Sequence, residues 1–142
     1  MRIIPQLQLD DCRRIAAASE AMAQQDSAVV SIAICDGGGH LLLLQRLDGA
    51  SAASTEAAIA KARMAALNGK PTADQEAAIN AERPALAQLA GVFGQPAVAM
   101  AGGLPLLVQG ECIGAIGISG MTPERDTAIA AAGTAVVSSL IV

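Results

Sequence analysis

The near absence of aromatic side chains constrains this chain most: among 142 residues there is one phenylalanine, Phe93, and no tryptophan or tyrosine. Aromatic rings bury large areas and dominate most cores, so this core has to be built from alanine, valine, isoleucine and leucine. Small side chains stabilise only where backbones approach closely. The same scarcity removes stacking platforms for nucleic-acid bases and aromatic cages for ligands. Net charge is −4, with no lysine or arginine cluster able to neutralise a run of phosphates, so no nucleic-acid partner is expected.

Hydrophobic residues make up 53% and charged residues 15%, against roughly 45–50% and about 25% in an ordinary soluble domain. Such a chain either spans a membrane or hides surface in an oligomer. The uncharged interval between Arg83 and Glu111 is broken by Pro84, Pro96 and Pro105 and by Gly91, Gly94, Gly102 and Gly103, so it cannot supply about 20 continuous apolar helical residues. The uncharged stretch from Thr127 to Val142 is short and carries Thr134, Ser138 and Ser139; it reads as a buried terminal helix. No membrane span is expected, and self-association is. The length is that of one domain, residues 1–142. Cys12, Cys35 and Cys112 are odd in number and far apart, which reads as buried reduced thiols with no metal site. Pro5, Asp10 and Asp11 precede any apolar run of secretory length, so a cytoplasmic location is expected.

Apolar positions recur at the helical period from Leu9 through Cys12, Ile15, Ala16 and Ser19 to Ala23, predicting a first helix over about 9–25. Ser27 to Cys35 alternates, Asp36-Gly37-Gly38-Gly39 supplies a turn, and His40 to Leu47 follows as the second strand of a hairpin. Its four leucines, Leu41 to Leu44, imply cover on both faces. Ser51 or Ser54 caps an alanine-rich helix to about Leu67, stopped by Asn68-Gly69. A further helix between Thr72 and about Leu89 must end or kink at Pro84. Short strands follow at Ala97–Met100, Leu104–Val108 and Glu111–Ser119, the last two joined at Gln109-Gly110, and Thr122-Pro123 opens a final helix. The order α-β-β-α-α-β-β-β-α predicts an α+β fold, a mainly antiparallel five-stranded sheet with flanking helices.

The runs Ile34-Cys35-Asp36-Gly37-Gly38-Gly39-His40-Leu41, Arg46-Leu47-Asp48-Gly49-Ala50 and Ala58-Ile59-Ala60-Lys61-Ala62-Arg63 stand in that order along the chain. Gly102-Gly103-Leu104-Pro105, Gly110-Glu111, the stretch from Gly114 to Gly120, and Asp126 complete the pattern. In order and spacing these resemble the GlcG/HbpS-like family over nearly the whole chain. The resemblance implies an oligomer, from dimers up to octamers. It also implies functions that range from haem binding and putative haem degradation, through the PduO carboxy-terminal type, to products of catabolic genes.

Two readings stand for each candidate site. Asp36 and His40 form either a plain hairpin turn or a site in which His40, the single imidazole, is an axial haem ligand or proton shuttle. Gly114-x-x-Gly117-x-x-Gly120 departs from the dinucleotide fingerprint and reads as strand glycines that let a helix approach. Ser119, Gly120 and Thr122 lead into the last helix, whose amino end either binds a carboxylate or is capped by Thr122. Lys61 either snorkels or is a partly desolvated acid-base group facing a Gly102-Gly103-Leu104-Pro105 loop, with Asp126 as its carboxylate partner. The leading expectation is a homo-oligomeric module binding haem or a small organic acid in a pocket formed by the loop of Gly102, Gly103, Leu104 and Pro105, Lys61 and the start of the last helix. A catabolic lyase or isomerase using Lys61, Asp126 or His40, or a structural accessory subunit, stands beside it.

Overall fold

The computed structural model describes residues 1–141. Helix α1 (Leu9–Gln25) begins where predicted, its first turn tied by the Asp11 carboxylate accepting from the Gln8 N–H at 2.9 Å. Strands β1 (Ser31–Asp36) and β2 (Leu41–Arg46) form the expected hairpin. Helix α2 (Ala52–Asn68) is capped by Ser51 and stopped by left-handed Gly69, as the serine and the Asn-Gly pair foretold. Helix α3 (Thr72–Ile79) ends well short of Leu89. Pro84 opens a run of 3-10 turns, Pro84–Val92, in which no residue is buried. Strands β3 (Gly103–Val108) and β4 (Glu111–Ser119) meet at Gln109 and Gly110, both at positive φ, the backbone of a tight hairpin turn. Helix α4 (Pro123–Thr134) is capped by Thr122 and followed by a 3-10 turn at Val137–Ser139. The predicted terminal helix is therefore shorter than its uncharged stretch, and its last residue, Val142, lies outside the described residues.

The sheet has four strands in the order β2-β1-β4-β3, all antiparallel, not five. The expected strand at Ala97–Met100 does not form because its backbone is engaged elsewhere. Val98 donates to the Ala60 carbonyl of α2 at 3.3 Å, and Ala101, just past the segment, donates to Glu76 of α3. The strand expected at Leu104–Val108 forms as edge strand β3 and begins one residue earlier, at Gly103, so the loop expected over Gly102 to Pro105 is confined to its first residue. An edge is where a sheet tolerates proline, which has no N–H to donate.

Helices cover the two faces unequally. On one, α1 and α4 pack Ile15, Ile129 and Ala130 against Ile32, Ile34, Leu106, Ile116 and Ile118. On the other, α2 packs Ala58, Ala62, Ala65 and Ala66 onto Ala33, Cys35 and Ala115. There the backbones nearly touch. A methyl group added at Gly117 would overlap the Ala58 carbonyl and come within 2.6 Å of the Ala62 nitrogen, so this strand glycine is what lets α2 settle onto the sheet. The first leucines of β2 are not covered as their pattern implied: Leu41 and Leu42 remain exposed at the edge of the sheet, while Leu43 and Leu44 pack against opposite faces.

Candidate functional site

Helix α2 carries Lys61 toward the end of the sheet where β4 leaves and α4 begins. Its ammonium donates to the Ile118 carbonyl at 2.9 Å and to Asp126 Oδ2 at 3.3 Å, both charged side chains being only 4% exposed. Asp126 sits in the first turn of α4, and its other oxygen accepts from the Met121 N–H at 2.9 Å. The pair thus joins helices from opposite faces of the sheet. Gly102 makes room for it. With φ at +124°, a conformation costly for any residue with a side chain, it would place a methyl group 2.5 Å from the Ile118 carbonyl oxygen and 3.0 Å from Lys61 Nζ. Gly103 is held next to it by its N–H donating to buried Thr72 Oγ1 at 2.9 Å.

A cavity of about 130 Å³ opens beside the pair, lined by Lys61, Asp126, Ser119, Glu76, Met100 and Met121, with Ala101 and Pro123 completing its wall. Glu76 was not singled out from the sequence. Its carboxylate accepts the Ala101 N–H at 2.6 Å, a partnership between α3 and an irregular segment that leaves no trace in spacing. Of the other expected residues, Thr122 is occupied as the cap of α4, accepting the Arg125 N–H at 3.2 Å. Gly120 lies against the Val29–Val30 backbone, Leu104 against the larger core, and Pro105 opposite Ala115 in the β3–β4 ladder.

Asp36 and His40 lie at the far end of the same sheet. Along β1, Ser31 pairs with Ser119 and Asp36 with Gly114, a separation of about 17 Å at strand rise. Asp36 Oδ1 accepts the N–H groups of Gly38 at 2.9 Å and His40 at 3.0 Å, and lies 3.1 Å from the ring nitrogen Nδ1 of His40. Burial pushes the Asp36 carboxyl upward, but these two N–H groups and the imidazole outweigh it and hold the group below its ordinary 3.8. The imidazole itself is 75% exposed. Helix α2 also reaches this end: Arg63 Nε donates to the Gly39 carbonyl at 3.2 Å, and Leu67 lies against the same turn.

All three cysteines carry free thiols. Burial pushes Cys12 up to about 11 and Cys35 up to about 12, and it raises Cys112 as well, so little thiolate exists near neutrality. Among the described residues no three His, Cys, Asp or Glu side chains gather as a metal cluster, and no helix is long and apolar enough to cross a membrane.

A fold of this kind, with glycines at the helix–sheet seam and a polar pocket at the sheet end, has known counterparts. The family model described as haem degrading protein HbpS-like matches residues 7–135, and the chain belongs to that family. Protein GlcG of Escherichia coli (strain K12) is 38% identical over 105 residues, which cover 74% of this chain and 75% of GlcG. The crystal structure of the Klebsiella pneumoniae protein ORFY superposes with a TM-score of 0.87 at 29% identity, over 99% of this chain and 97% of that one. A crystallised PduOC:haem complex superposes with a TM-score of 0.82 at 28% identity, over 92% and 94% of the two chains.

Proposed function

We propose that this chain is a haem-binding member of the HbpS-like family, acting in the cytoplasm as a homo-oligomer of two to eight copies, with His40 as the iron ligand. The observation that carries this reading is the Asp36–His40 contact, 3.1 Å at Nδ1. A carboxylate on one ring nitrogen fixes the imidazole and leaves Nε2 to face outward, the usual arrangement behind a metal-ligating histidine. Leu41 and Leu67, both exposed on the α2 side of the turn, offer apolar surface to a porphyrin. The likeness to a protein crystallised with haem supports the same ligand. When bound, haem supplies a redox-active iron whose potential the axial ligand tunes. Because the imidazole is 75% exposed, one chain alone would leave much of the porphyrin in water, and a second copy is the natural source of the missing cover. Titration of the purified protein with haem, followed by absorption, tests the reading. A shifted Soret band that weakens in His40→Ala is expected, and no shift with the wild-type chain overturns it.

The buried Lys61–Asp126 pair favours a second reading, a small organic molecule in the cavity beside it, bound or turned over by a lyase or isomerase chemistry that moves a proton. Two carboxylates face that cavity against one ammonium, so a hydroxyl or carbonyl group suits it better than a free organic acid. Glu76→Gln keeps an acceptor for the Ala101 N–H while removing a charge. It should change affinity or turnover for hydroxy and carbonyl compounds without unfolding the chain, and no response to any of them removes this reading. An accessory subunit without a ligand is what would remain if both fail.

A further inference from the structure

We infer that a second cavity, on the opposite side of α3 from Glu76, is a binding site for a small oxyanion, a carboxylate or phosphate group. It encloses about 220 Å³ between the end of α2, α3 and the start of the 3-10 run, and Asn68, Lys70, Asp74, Gln75 and Arg83 supply its polar wall. Gln75 is 5% exposed. Its Oε1 accepts from Asn68 Nδ2 at 3.0 Å, but its Nε2 is buried without a partner. A buried amide donor left unmatched is costly, and an acceptor entering this cavity would relieve it. The nearby cations suit such an acceptor when it is charged. Among the described residues neither Lys70 nor Arg83 makes a salt bridge, and a guanidinium matches the two oxygens of a carboxylate or phosphate. Asp74 lines the same cavity and opposes an anion, leaving one net positive charge to attract it.

The test is nuclear magnetic resonance on the isotope-labelled full chain, titrated separately with sodium acetate, inorganic phosphate and sodium chloride at matched ionic strength. A saturable shift of the Gln75 side-chain NH2 signals is expected with acetate, phosphate or both, and none with chloride. The preferred anion then tells carboxylate from phosphate. Arg83→Gln and Lys70→Gln, both at exposed positions, should each weaken binding about tenfold, the loss of one charged hydrogen bond. Asp74→Asn should strengthen it several-fold. A Gln75 signal blind to both oxyanions, or a response equal to that of chloride or unchanged in Arg83→Gln, overturns the proposal. His40 and the Lys61 cavity play no part in this outcome.

Discussion

With side chains only 4% exposed, Lys61 and Asp126 have exchanged water for each other, and neither can be removed alone without stranding a charge in the interior. Lys61→Met should therefore lose about 3–5 kcal/mol in urea unfolding, while Lys61→Met combined with Asp126→Leu should recover part of that loss. Equal losses in the two variants would show that the pair is not coupled. Asp36 makes a different prediction. A carboxyl held below its ordinary value contributes stability that is present above 3.8 and lost as pH falls through the folded value. Asp36→Asn should lower stability at neutral pH and flatten the acid limb of the stability–pH curve below about pH 4, the two proteins converging at low pH where the wild-type carboxyl is protonated. Lys61 and Asp36 were visible in the sequence because a charge among alanines, or before three glycines, is conspicuous, and Asp126 because it is an acid in the first turn of a helix whose cap, Thr122-Pro123, is legible. Glu76 and Gln75 were not, because what distinguishes them is a backbone N–H and a cavity wall that exist only after folding.

Secondary elements were legible where their ends carry their own chemistry. Ser51, Gly69, Thr122 with Pro123, and the Gln109-Gly110 pair each satisfy or redirect local backbone groups, so α2, α4 and the β3–β4 turn could be placed without knowing the rest. Ala97–Met100 failed as a strand because strand formation needs an open partner edge, and local composition does not record that α2 takes the Val98 N–H and α3 the Ala101 N–H just beyond it. The seam of α2 against the sheet gives a prediction of its own. Gly117→Ala has to push back the Ala58–Ala62 backbone and should cost about 1–3 kcal/mol, whereas Gly91→Ala meets nothing within 4 Å and should be near neutral. Thermal unfolding of both variants checks this, and comparable stability would mean that α2 can yield.

Folding does not remove the shortage of surface charge seen in the composition. Leu41, Leu42 and Val92 stay exposed, and the apolar 3-10 run from Pro84 to Val92 holds no fully buried residue, so association of copies is expected to supply the missing cover. Sedimentation at micromolar concentration should give a multimer, and a single species at the mass of one chain would contradict it. The tight alanine and glycine seam also shapes what descendants of this chain can become. Where no atom can be added between helix and sheet, drift is confined to the rim: the turn before His40 and the irregular segment that walls the Lys61 pocket. New ligand preferences would have to be written there, over an interior that tolerates almost no revision.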